Sequence, residues 1–184
     1  MSLGFWNNLS PRRKRIITIA LIFVAVTIIT GLAMLTPVSH QQAVDTTNEV
    51  NQSVRTLQGV GTDTLFTNIF GNNFFLTMML FIPFVGPIIG FISFYNLGVA
   101  LESEAIALGY PPSLYFVAEF ILPVIWLEFT AYSTAMAASI WLSARILQNK
   151  AKHELANTAK FISVCAVILL ISAIIESALI YAGL

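Results

Sequence analysis

The sequence predicts an all-α protein: a polytopic integral membrane bundle of five transmembrane segments, N-terminus cytoplasmic and C-terminus outside. Three observations predict it. The 184 residues are 57% hydrophobic and 10% charged, with a mean hydropathy of +0.82, whereas a soluble domain carries about 25% charged residues. Apolar runs of spanning length recur along the chain. The basic residues gather in two clusters, Arg12 to Arg15 and Arg145 to Lys160, and an odd number of crossings puts both on one side. One membrane-embedded domain takes up the whole length.

Residues 1–15 form a short head ending in Arg12-Arg13-Lys14-Arg15, read as cytoplasmic because basic residues flanking a first span stay inside. Residues 16–36 are apolar and uncharged, about the 20 residues a crossing needs. With no small-x-small site behind this run, an uncleaved anchor is expected rather than a signal peptide. Residues 37–64 are polar. Ser39-x-x-Gln42 fits a capping box. Ala43, Thr47, Val50, Val54 and Leu57 follow at helical spacing, with Gly59 as a stop. That pattern predicts an amphipathic helix on the outer surface, either covering the bundle or offering a face to a partner.

Residues 65–184 read as a four-span core. The apolar stretch 65–108 is long enough for two crossings, 65–84 and 88–108, joined by a turn at Val85-Gly86-Pro87. Asn68, Asn72 and Asn73 make the start of the first of these polar. Gly86 and Gly90 form a GxxxG, and Gly98 extends the small stripe, so close helix approach is expected there. Asn96 on the third span should hydrogen-bond across helices. Gly109-Tyr110-Pro111-Pro112-Ser113 is a turn. Residues 114–147 are about 34 in number, roughly 50 Å of helix, too long for a core of about 30 Å. Pro123 is therefore expected to kink this fourth span or split it. Ala131, Ala135 and Ser139 make a small stripe on its long half, read as helix packing. Residues 161–183 form the last span.

The positive-inside rule decides the count. With five crossings, Arg55 is the one cation of nine Lys and Arg that falls outside. Reading 65–108 as a single span would move the second basic cluster outside.

The chemistry centres on acids inside apolar runs. Glu128 and Glu176 are costly in hydrocarbon, so they should face protein or a wet cavity. No His-Glu-x-x-His, nucleotide-binding glycine loop, or Ser or Cys beside a His is present. His40 and His153 lie in polar segments, and the lone Cys165 cannot close an intrachain disulfide. No catalytic residue, metal site or cofactor is expected. Zero net charge gives no field for nucleic acid. Expected partners are membrane lipid and other membrane-protein subunits or a second copy of the chain.

Several of these stretches resemble the stage II sporulation protein M family. Ile69-Phe70-Gly71-Asn72-Asn73 resembles its asparagine-pair entry to a span. Asn96-Leu97-Gly98 is similar to its Asn-Gly segment with a later glycine. Leu122-Pro123-Val124-Ile125-Trp126-Leu127-Glu128 resembles its Leu-Pro-His-Gly-x-x-Glu motif, and Ile174-Ile175-Glu176-Ser177 its terminal apolar-Glu motif. The likeness runs from Phe66 to the C-terminus. The chain departs where Val124 and Ile125 replace the family's His-Gly, so no role of that histidine carries over. The resemblance implies a small polytopic membrane protein. In spore-forming bacteria it implies a scaffold beside a peptidoglycan-cleaving partner, a role that a shared fold does not carry across.

Two functions fit these residues. In the first the chain is a non-enzymatic structural or assembly subunit in the cell membrane. Glu128 and Glu176 are then polar interhelical locks, bonded to each other or to Asn96, Thr130 or Ser133. In the second it is a small transporter component, with the same acids on a proton or cation path and Pro123 breaking a helix beside them. The absence of a visible inverted repeat favours the first.

Overall fold

The computed structural model describes residues 8–58 and 62–182. Among them the regular structure is entirely helical: α1 (Pro11–Ala33), α2 (His40–Gln58), α3 (Thr62–Leu80), α4 (Gly86–Leu108), α5 (Pro112–Glu119), α6 (Pro123–Leu147) and α7 (Ala151–Ala182). α1, α4 and the Glu154–Ala182 part of α7 are long and apolar enough to cross a membrane, and α5 with α6 makes a fourth candidate if that bent pair is one span. α3 carries Asp63, Asn68, Asn72 and Asn73 and falls short of that measure. Outward faces bear Leu21, Leu32, Ile88, Val117, Val167 and Ile174, all exposed, as expected of helices facing hydrocarbon.

α6 is the central post, packing on α1, α3, α4 and α7. Every residue from Ala131 to Ser139 is buried, because Ala, Ser and Thr let backbones approach from several sides. Phe129, Met136, Leu80, Val26, Phe94 and Leu169 fill the spaces between the helices. Ala131 and Ala135 lie in this packed stretch. The Cys165 thiol of α7 donates to the Ala131 carbonyl at 3.4 Å.

The stretch expected as a fourth span is two helices rather than one kinked rod. α5 and α6 meet at 79°. Leu122 is extended, with ψ 131°, and Pro123 opens α6. The residue before a proline avoids helical geometry, and proline is favoured in a first turn. The break is braced. Trp126 Nε1 donates to the Phe120 carbonyl at 2.8 Å, satisfying an acceptor that helix termination frees. The Trp126 ring stacks on Phe23 of α1 at 5.8 Å, and Phe120 meets Phe129 edge-on at 5.6 Å.

The α3–α4 connection is pinned to α6. Phe84 takes φ +65°, unfavourable for a bulky residue. Its N–H donates to Ser143 Oγ at 2.7 Å, and Ser139 Oγ donates to the Ile82 carbonyl at 2.6 Å. The glycines each serve a different approach. A Cβ on Gly86 would run into the Leu80 carbonyl of its own hairpin, one on Gly90 into the Met136 thioether of α6, and one on Gly98 into the Thr30 carbonyl and Ala33 of α1. At that last crossing Thr30 Oγ1 donates to the Phe94 carbonyl at 3.3 Å.

α2 opens with the expected capping box. The Gln42 N–H donates to Ser39 Oγ at 3.3 Å, and the Ser39 N–H to Gln42 Oε1 at 3.1 Å. Ala43 and Thr47 are buried, and the helix packs on α4. The side chains of Val50, Val54 and Leu57, and the stop at Gly59, lie outside the described residues.

Candidate functional site

By restarting the helix, Pro123 sets the register of α6. Glu128 and Tyr132, one turn apart, then share the face turned toward α3 and α4. On α3 the matching position is Asn73, whose Nδ2 donates to Glu128 Oε1 at 2.5 Å. Asn73 is itself seated by Thr77, whose hydroxyl donates to the Asn73 carbonyl at 2.8 Å. On α7, Ser172, whose buried hydroxyl has no hydrogen-bond partner, and Glu176, one turn further along, stand near the same carboxyl. Beside Glu128 a groove of about 350 Å³ opens between α3, α4 and α6, with Asn73, Ser93, Asn96, Glu128 and Tyr132 as its polar lining. The rest of its wall is apolar, including Leu76, Leu80 and Leu97.

The structure sorts the expected polar residues. It brings Asn73 and Glu128 together and sets Glu176 behind them on α7. Asn96 is on the groove wall and exposed, not buried in a cross-helix bond. Asn72 is exposed. Thr130 also faces outward, and the Ser133 hydroxyl is buried without a partner. Neither is Glu128's partner; Asn73 is. Pro123 is exposed and acts by starting α6. Among the described residues no cluster of three or more His, Cys, Asp or Glu could hold a metal ion.

A second polar contact was not foreseen. Arg15 grips Glu154 with both ends of its guanidinium, Nη1 to Oε1 at 2.6 Å and Nη2 to Oε2 at 2.7 Å. Arg145 Nε stands 3.9 Å from Oε2. The Arg15 guanidinium lies over Trp141 at 5.4 Å and Phe161 at 5.9 Å. These contacts hold the start of α1, the end of α6 and the start of α7 at one end of the bundle. The signal was in the register. Arg15 extends the buried α1 stripe Ile22, Val26, Thr30 and Ala33, and Glu154 extends the α7 stripe Thr158, Cys165, Leu169 and Ala173.

A membrane-spanning helical bundle, cross-braced by polar contacts between non-neighbouring segments, is the class these observations define. The chain belongs to the stage II sporulation protein M family, whose family model matches residues 19–179. That match takes in most of α1 and so reaches well upstream of Phe66, where the resemblance in the motifs began. Comparisons with curated proteins and with solved structures gave no match.

Proposed function

We propose that this chain is a non-enzymatic structural or assembly subunit of a membrane complex, resident in the cell membrane with five crossings and a cytoplasmic N-terminus. The observation that carries the reading is the Asn73–Glu128 hydrogen bond. It joins α3, whose Asp63, Asn68, Asn72 and Asn73 make it polar for a core helix, to the central helix, and it uses the costliest group in α6 as a link within the bundle. With Asn73 engaged in this way, α3 serves as a fifth crossing. Interhelical bonds of this kind contribute about 0.6 kcal/mol on average, enough to fix register and too little to hold the bundle alone. The Arg15–Glu154 contact supports the sidedness, since it joins the two basic clusters that the positive-inside rule keeps together.

Glu128→Gln tests the lock. An amide still accepts from Asn73, so the variant is expected to accumulate normally and to co-purify with the same stoichiometric partner in mild detergent. Glu128→Leu should lower the thermal midpoint and the partner yield. If Glu128→Gln accumulates normally but abolishes function, the carboxyl is working as an acid. A proton or cation path through the groove would then replace the lock.

A further inference from the structure

At the end of the bundle where α1 starts and α6 meets α7, a crevice of about 1160 Å³ is lined by Arg15, Arg145, Lys150, Lys152, Glu154 and Asn157, among others. Four cations face one carboxylate. That carboxylate is already committed to the Arg15 fork, with Arg145 beside it. Among the described residues neither Lys150 nor Lys152 has an ion-pair partner. α7 begins in the crevice wall at Ala151, so its first-turn amides and the positive end of its dipole add to the same potential. The crevice is therefore built for an anion.

Its surroundings narrow the choice of anion. Ile146 lines the crevice. Ile16, Leu147 and Leu155, each next in sequence to a lining residue, are exposed and apolar. A free phosphate would use the cations and leave these side chains bare. A phosphate carried on acyl chains would engage both, and basic pockets between membrane helices hold such headgroups. We propose that this crevice binds the phosphate headgroup of an anionic phospholipid, with its chains lying along the exposed apolar side chains of the same three helices, α1, α6 and α7. The site stands apart from the Asn73–Glu128 contact and does not depend on the assembly role.

The test uses the full chain in neutral detergent, with its thermal midpoint followed as phosphatidylglycerol, phosphatidylcholine or inorganic phosphate is added. Phosphatidylglycerol is expected to raise the midpoint in a saturable way, and the other two to leave it in place. In the double variant Lys150→Gln with Lys152→Gln the apparent affinity should fall roughly 25-fold, about fivefold for each lysine near an anionic surface. Both lysines are exposed, so the midpoint without lipid should not move. Arg12→Gln with Arg13→Gln removes equal charge outside the crevice and should respond as the native chain does. If the double variant does fold less well, Lys150→Arg with Lys152→Arg should keep the lipid response. The proposal is overturned if the lysine variant responds normally, if the Arg12 and Arg13 variant loses as much, or if phosphatidylcholine acts equally. A matching shift with inorganic phosphate alone would also overturn it, making the crevice a free-anion site.

Discussion

Gly98→Ala should destabilise the bundle sharply, while Gly71→Ala should not. A Cβ at Gly98 meets the Thr30 carbonyl and the Ala33 methyl of α1, whereas a Cβ at Gly71 meets nothing within 4 Å. Backbone cannot swing aside as a side chain can. The α1–α4 crossing must therefore open, weakening the Thr30 to Phe94 hydrogen bond with it. Overpacking of this kind costs about 1–3 kcal/mol, and Gly98→Leu should leave little folded protein. At Gly71, alanine removes glycine's entropic penalty within a helix and should stabilise by about 0.5–1 kcal/mol. Gly90→Ala should fall between them, because the neighbour there is the flexible thioether of Met136. Thermal unfolding in detergent ranks the three. Equal midpoints for Gly98→Ala and Gly71→Ala would mean that the crossing is not close.

The second large effect is expected at Glu154. Its side chain is 4% exposed and that of Arg15 17%, and removing one partner of a buried pair costs about 3–5 kcal/mol. Water still reaches Arg15, so the lower end of that range applies. Glu154→Gln leaves the guanidinium groups of Arg15 and Arg145 facing each other without a carboxylate. Arg15→Leu leaves Glu154 with Arg145 as a fallback. The glutamine variant should therefore be the less stable of the two. Arg15→Leu with Glu154→Leu should recover part of the loss, because no charge is then stranded. A double-mutant cycle measures the coupling directly; a value near zero would show that the ion pair does not hold the two ends together.

The sequence made the helices legible and left most of their pairings hidden. Apolar run length marked α1, α4 and α7 as helices able to cross a membrane, and the positions of Pro111, Pro112 and Pro123 marked where helices had to stop. The size of the break at Pro123 was not legible. It depends on Trp126 and Phe120, which satisfy and brace the open backbone only once α1 is in place. Glu128 stood out as an acid in an apolar run, yet its partner Asn73 lies 55 residues away and read as the polar end of a span. Nothing in local spacing ranks Asn73 above Asn72 or Asn96; only the register of α3 against α6 does. Arg15 was submerged in a block of four cations. Counting seven residues back from Ile22 would have separated it from Arg12 and Arg13, which continue outward.

A five-crossing bundle requires that the N-terminal head and the α6–α7 connection share one side of the membrane. The decisive measurement is labelling of intact cells with a membrane-impermeant maleimide, in a Cys165→Ala background carrying one new cysteine at a time. Asn8→Cys and Gln148→Cys should be protected until the membrane is opened, while Gln41→Cys and Tyr110→Cys should react at once. Labelling that puts Gln148 on the opposite side from Asn8, or Tyr110 on the same side as Gln148, would contradict the five-crossing bundle and the roles assigned to its buried acids.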